Sequence, residues 1–443
     1  MMKKYISFLL LILLPILVMA QAVGGQITRP GKKQQATQRV GGNNTNNSST
    51  KRIVREVTYE STLSAEEKRI WEEEKAKAKE NMKILAHNLK SQGLDPTTFG
   101  GFSEGLARCK KKNGEICYID RKGNIALSLP SIIISARDYK NGFAVVEKKG
   151  SYEGYRWIGG NVSVIDRKGN TIIPFGKYNY IFDNSEGLFF AVDQEKKCGY
   201  LNEEGKIVIP FVYEAEMGYG VGTDEESFHE GLALIKKDGK YGYIDKDGKV
   251  VIPPIYKFAH RFSEGLAAVS KDGKYRYIDK LGNITIPFST GILDAYQFSC
   301  GLAQLIRSDN KEYFINTQGT TVIKTNLSGD EYNLSSDHKF SEDLIAICPN
   351  GAKSNKWGYM DKQGKIVIPP LYKAAGNFSE GLAFVCRNGY SGFLNKKGQV
   401  VIPFKFHNDF IVGMEFKDGI APIRHNDKWG YVDKYGNSTF DFE

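Results

Sequence analysis

Residues 228–259 read FHEGLALIKKDGKYGYIDKDGKVVIPPIYKFA. Short apolar runs bounded by glycine-containing turns read as strands, because alternate side chains of an extended chain point to opposite faces. Leu232–Ile235 is the first run, Tyr241–Ile244 the second and Val250–Ile252 the third. Lys237-Asp238-Gly239-Lys240 turns the first into the second, and Asp245-Lys246-Asp247-Gly248 turns the second into the third. The stretch predicts a three-stranded antiparallel meander.

The pattern recurs nine times. The glycine of the Glu-Gly-Leu element falls at Gly105, Gly142, Gly187, Gly231, Gly265, Gly301, Gly381 and Gly419, with Asp343 taking the place in the seventh copy. Steps of 34 to 45 residues separate the copies, so insertions fall between units. Self-similarity at this period means a repeat array, in which each unit buries its apolar face on its neighbours. The expectation is an all-β array of stacked three-stranded meanders over residues 99–443. An open superhelical stack accommodates unequal insertions best, and a closed β-propeller is the alternative.

The most regular feature is the second turn. It starts at Asp120, Asp166, Asn202, Asp245, Asp279, Asn316, Asp361, Asn395 and Asp433, and a glycine follows three residues later every time. A calcium ligand or a general acid needs the charge of aspartate, yet asparagine stands there three times. An oxygen that accepts from the backbone two residues on serves equally well from either side chain, so a structural role is expected. Proline sits five residues after that glycine in six copies, from Pro174 to Pro403. It removes a ladder donor, which places the third run at a strand end or sheet edge.

Two aromatic rows run through the units. Tyr118, Tyr200, Tyr243, Tyr277, Phe314, Tyr359, Phe393 and Tyr431, with Val164, lie two residues before the turn Asp or Asn. Phe102, Tyr139, Phe228, Phe262, Phe298, Phe340, Phe378 and Phe416 precede the Glu-Gly-Leu glycine position by three. Equivalent positions stack in an array, so these rows are expected to seal the joints between units. The slot two residues before the tyrosine row varies far more. Its aromatic occupants Tyr241, Tyr275, Trp357 and Trp429 are the candidate ligand-facing residues. The Glu-Gly-Leu carboxylates are expected to hydrogen-bond a neighbouring backbone.

Lys356-Trp357-Gly358-Tyr359-Met360-Asp361 and Lys428-Trp429-Gly430-Tyr431 carry a further signal. Units built around them resemble the WG (KWG) repeat family of bacterial proteins over roughly residues 100–443. Departures occur: Cys117 fills the glycine slot, Cys198 the tryptophan slot, and Glu312-Tyr313 replaces the pair. The resemblance implies a β-rich repeat array without general enzymatic activity and names no ligand.

Upstream of the repeats, Lys3 and Lys4 precede an apolar run from Ile6 to Val18, and Val18-Met19-Ala20 offers small residues for cleavage before Gln21. Residues 1–20 therefore read as a signal peptide, too short to span a bilayer. Residues 21–57 are rich in Gly, Asn, Gln, Thr and Ser and read as a disordered, basic spacer. Residues 58–98 hold a helix: Ser64-Ala65-Glu66-Glu67 is a capping box, and Trp71, Ala78, Met82, Leu85 and Leu89 form one apolar stripe. That helix is expected to cap the array.

The formal charge of +10 is concentrated at the start of the chain. Residues 1–57 carry nine basic side chains and one acid, which leaves +2 for the rest. A nearly neutral body argues against a nucleic-acid groove. The six cysteines show no Cys-x-x-Cys spacing, so no zinc site is expected. An exported setting permits disulfides; Cys348 with Cys386, and Cys109 with Cys117, are the candidate pairs. The histidines share no motif, and no nucleophile elbow, metalloprotease, P-loop or dinucleotide signature appears. No cofactor, metal or catalytic residue is assigned. The expectation is an exported, non-catalytic protein-interaction scaffold of the envelope or exterior, with no transmembrane span after signal removal. The alternative is a glycan- or cell-wall-binding module using the repeat aromatics.

Overall fold

The computed structural model describes residues 57–442 apart from 154–155, 159–160, 216–224, 289–290, 310, 329–331, 335–338, 350–355 and 408–413. The expected signal peptide and the spacer to residue 56 lie outside the described residues. Helix α1, Ala65–Ser91, opens the described fold. Ser64 and Glu67 each accept the other's backbone N–H, a reciprocal cap that satisfies two orphan donors at the helix start. Met82, Leu85, Ala86 and Leu89 are its buried face. No helix among the described residues is long and apolar enough to cross a membrane.

The repeats form eight antiparallel sheets of three or four strands, and a two-stranded ninth, Ile420–His425 with Lys428–Asp433. A small extra hairpin, Ser151–Glu153 with Arg156–Ile158, accounts for one insertion without disturbing the units. Most units carry one strand more than the sequence reading gave. In unit five, Phe258–Ala259 pairs with Ala267–Lys271, and Ser263-Glu264-Gly265-Leu266 turns between them. Glu264 and Gly265 have φ of 54° and 81°, the doubly left-handed turn that matches strand twist. In this unit the lead-in strand is only two residues long, too short for a periodic signal.

The joints between units follow one scheme. At seven joints the tyrosine-row ring of one unit meets the second aromatic row of the next at 4.7–5.4 Å, as in Tyr118–Tyr139, Tyr243–Phe262 and Phe314–Phe340. Six row tyrosines donate their hydroxyl across the joint to the carbonyl two residues before that aromatic position, at 2.6–2.9 Å. Serines such as Ser263 donate to the next aromatic's carbonyl, at 2.7 Å for Phe298. The Glu-Gly-Leu carboxylate accepts from the next unit's glycine N–H: Glu104 from Gly142, Glu230 from Gly265, Glu380 from Gly419. A basic residue of the next turn pairs with it, as Lys280 does with Glu230 at 3.1 Å. Glutamate is an awkward occupant of a left-handed turn position. The charge-assisted bond to the neighbour compensates for that strain.

The scheme also joins the ninth unit to the first. Tyr431 packs on Phe102 with ring centroids 4.9 Å apart and donates to Gly100 O at 2.9 Å. Asp418 accepts from Gly105 N at 3.0 Å, and Arg121 donates to the Asp418 carbonyl. The array is therefore a closed, propeller-like ring, the alternative arrangement, and the open superhelical stack is corrected. The ring contacts at the joints are alike across long and short steps, so unequal insertions do not prevent closure. The ninth unit lacks a fourth strand among the described residues, and other elements stand in for it. A Cβ on the turn Gly248 would meet Ile209 of the preceding unit at 3.3 Å, whereas on Gly123 it would meet Leu85 of α1 at 3.0 Å. The helix thus fills the seam, sharing a core with Phe99, Phe102 and Tyr431.

The glycine of the Trp-Gly pair has a steric cause. The fourth strand bulges over it, so that Tyr241 opposes Tyr256 while Tyr243 opposes Ile252. A Cβ on Gly242 would lie 2.6 Å from Ile252 O, and one on Gly358 would clash with Ile368 O. In unit one Cys117 fills the slot, and the fourth strand pairs directly with it through Ser128.

Candidate functional site

All nine turn residues, Asp120 through Asp433, accept from the N–H groups two and four residues on, whether Asp or Asn. The oxygen closes the turn in each case. Among the described residues no group of three His, Cys, Asp or Glu side chains is placed to hold a metal ion.

The four variable-slot aromatics do not converge. Tyr241, Tyr275 and Trp357 are half-buried and pack against three separate core clusters, one per joint. Lys236 lies over the Tyr241 ring at 5.0 Å, and Phe258 packs edge-on to Tyr275. Burial, then Asp294, raises the Tyr275 phenol above its usual value. Trp429 differs: it stands between two clusters at the ring seam and lines two adjoining cavities of about 380 and 250 Å³.

No disulfide is present among the described residues, which corrects both expected bridges. Cys348 and Cys386 are buried on successive sheets. Cys386 packs with Phe416 and Ile423 of the ninth unit, whereas the alternate residues Ala383 and Val385 of its strand face the sheet that carries Cys348. Cys109 and Cys117 are cross-strand partners whose Sγ atoms lie 3.2 Å apart as a hydrogen-bonded thiol pair. That bond favours the Cys117 thiolate and pushes the Cys109 thiol up.

A further cavity was not anticipated. Sheets radiating from an axis approach one another most closely at their inner edge. The lead-in segments of successive units touch, as Arg261 Nε does Gln297 Oε1 at 3.4 Å, while the fourth strands expose Ile207 and Ile284. The lead-in segments therefore face the axis, and those of units five to seven, with Glu225, line a cavity of about 760 Å³. Glu225 accepts from Arg261 N at 2.9 Å and Gln297 Nε2 at 2.5 Å, and lies 3.6 Å from His260 Nδ1. Burial raises this carboxyl, but the hydrogen bond and charge of His260 and the Arg261 N–H outweigh it and hold it below the usual range. Lys339 adds a second cation beside Arg261. Ser263, Ser299 and Ser341 also line the cavity, but each hydroxyl is engaged with the carbonyl of the next unit's aromatic. The arrangement suits holding a polar ligand more than attacking one. A signal for it exists in the sequence: the residue just before the second aromatic row runs Gly101, Asp138, Ser227, Arg261, Gln297, Lys339, Asn377 and Glu415, a variable slot at a fixed position.

A closed ring of small antiparallel sheets, each clasped to the next by aromatic pairs, defines a propeller-like β-repeat protein. The model of the WG-containing repeat matches residues 163–198, 199–218, 226–241, 241–275, 357–390 and 392–429. Those stretches of the chain are WG-containing repeats. No curated protein sequence matches the chain. Among solved structures it is similar to BamB from Moraxella catarrhalis, at 13% identity over 70% of this chain and 93% of that one, with a TM-score of 0.38. A structure described as the eukaryotic initiation factor matches at 11% identity over 75% and 84%, with a TM-score of 0.39. Kluyveromyces lactis Hsv2p matches at 8% identity over 59% and 93%, with a TM-score of 0.32.

Proposed function

We propose that the chain is an exported, non-catalytic protein-interaction scaffold that takes extended polypeptide segments on the outer edges of its sheets. One comparison within the molecule carries this reading. The residue two after the turn glycine heads the outermost strand, and it is 58% exposed at Ile207, 45% at Val250, 52% at Ile284 and 43% at Ile366. The equivalent Val400 is 6% exposed, because the chain's own Val57–Thr58 segment lies beside it. Val400 N donates to Val57 O at 3.0 Å, and Thr58 pairs with Val400 in parallel. One edge thus already pairs with an extended stretch of chain through its main chain, the backbone element of strand addition. Exposed apolar residues recurring on sheet edges are otherwise an aggregation liability. Export rests on the reading of residues 3–20. The absence of a role in chemistry rests on repeat features that serve the joints.

The test is cross-linking mass spectrometry of the full chain with envelope proteins of its host. Wild type is compared with a variant carrying lysine at 207, 250, 284 and 366. The reading expects cross-links along the outer strands in wild type and their loss in the variant, with the melting temperature unchanged. Cross-links that persist in the variant, or that map to the axis, would overturn it.

A further inference from the structure

The joint between units six and seven departs from the common scheme in the chemistry of its side chains. Phe314 stands in the tyrosine row and has no hydroxyl to donate. Cys300 stands where Glu186, Glu230 and Glu342 present a carboxylate, although its φ of 53° matches the 54° of Glu230. Its thiol lies 3.7 Å from the Phe340 carbonyl, and a thiol is a weak donor. The ion pair that crosses other joints, such as Lys246 to Glu186, Lys280 to Glu230 and Lys396 to Glu342, is turned inward here: Lys362 pairs with Asp343 of its own unit at 2.7 Å. Phe314 and Phe340 meet at 5.4 Å, the widest of the seven ring pairs. Ser299 still donates to Phe340 O at 2.6 Å.

The same joint buries polar side chains. Gln304 lies two residues along its strand from Leu302, and Glu312 two from Phe314, so both share the face that packs on Phe340, Ile345 and Ile347 of unit seven. They are 0% and 8% exposed. Burial pushes the Glu312 carboxyl up to about 6, although Gln304 lowers it, so a charge is disfavoured there. Two other joints depart from the scheme and carry substitutes. Units two and three, with Val164 and Asn141 in those positions, are held by Asn141 Nδ2 donating to Asn184 O at 3.0 Å and by Arg137 with Asp183 at 3.3 Å. Units eight and nine lack the hydroxyl at Phe393 but keep Glu380, which accepts from Gly419 N at 3.0 Å and pairs with Lys434 at 2.9 Å.

We propose that the ring opens reversibly between units six and seven while its other joints stay shut. Local opening draws on the least stable contacts of a fold. One joint can part alone because each repeat contacts only its neighbours, so the remaining joints hold independently. The proposal concerns how the ring moves and stands whatever the outer edges bind.

The test is native-state thiol labelling of the full chain with N-ethylmaleimide, read peptide by peptide in a mass spectrometer. Ile347→Cys places a thiol in this joint, and Val385→Cys places one at the equivalent position between units seven and eight. The native side chains are 1% and 0% exposed, so either thiol reacts only when its joint opens. Labelling at 347 is expected to be at least about tenfold faster than at 385, for want of one hydroxyl bond and one charge-assisted clasp. Cys300→Glu restores a carboxylate near Lys362 and should slow labelling at 347 at least about fivefold, leaving 385 unchanged. Equal rates at 347 and 385 would mean exposure by global unfolding and would overturn the proposal. Faster labelling at 385, or no slowing at 347 by Cys300→Glu, would overturn it too.

Discussion

Tyr431 offers the sharpest test of ring closure. It is fully buried, packs on Phe102 at 4.9 Å and on Phe99 at 5.8 Å, and donates to Gly100 O at 2.9 Å. In an open array the last unit has no neighbour, and removing its joint residue costs little. In the closed ring it costs as much as at an interior joint. Tyr431→Phe leaves the Gly100 carbonyl without its donor and should destabilise by about 1 kcal/mol. Tyr431→Ala also deletes a buried aromatic ring and should cost about 3–5 kcal/mol. Tyr243→Phe is the interior control, since Tyr243 is equally buried and donates to His260 O at 2.6 Å. Urea unfolding followed by fluorescence gives the differences. Hydrogen exchange shows where they act, and protection should fall in α1 and in residues 99–110, because Met82, Leu85 and Leu89 share Tyr431's core. If Tyr431→Ala lies within about 1 kcal/mol of wild type while Tyr243→Phe costs its full hydrogen bond, the seam is not a joint and the ring argument fails.

Other outcomes follow from the same geometry. Gly358→Ala should destabilise by about 2–3 kcal/mol, because the new methyl meets backbone atoms of the bulged fourth strand; a smaller loss in thermal unfolding would mean that the bulge yields. Burial pushes the Glu312 carboxyl up to about 6, so the folded state prefers its neutral form and stability falls as pH rises from about 4.5 through 6. Glu312→Gln should remove that slope and add up to about 2 kcal/mol at pH 7, read from urea midpoints at several pH values. Glu186 behaves oppositely. Burial raises it, but Lys246 and the Gly231 N–H hold it below its ordinary value, so its contribution is present at neutral pH and is lost as pH falls below about 4.5. Glu186→Gln should flatten the acid limb of the same titration. Diamide, as two-electron oxidant, should join Cys109 to Cys117 with loss of two hydrogens, and peptide mapping should find no other bridged pair.

Much of this architecture was legible before folding. The turn Asp or Asn, the Tyr and Phe rows and the Trp-Gly pair are local or periodic features, and they recur because each unit meets the same neighbour in the same way. The lead-in strand escaped because its length varies from two residues at Phe258–Ala259 to six at Ala374–Ser379, so it carries no common period. The axial cavity around Glu225, Arg261 and Gln297 escaped because Arg261 and Gln297 each precede an aromatic whose periodicity points to the joint. Trp429 was singled out for its slot, but its slot did not distinguish it from Trp357. What separates them is that one stands at the seam, beside α1, and the other inside an ordinary joint.

By itself the sequence determined the repeat, its strands and turns, the sealing role of the aromatics and the cap of α1. Only the tertiary structure decided that the array closes. Closure depends on the small rotation between neighbouring units summed over the whole array, and no single unit encodes that sum. The same sum brings Asp418 to Gly105, Tyr431 to Phe102 and α1 to Gly123. Sequence-distant groups meet there because the ring ends where it began.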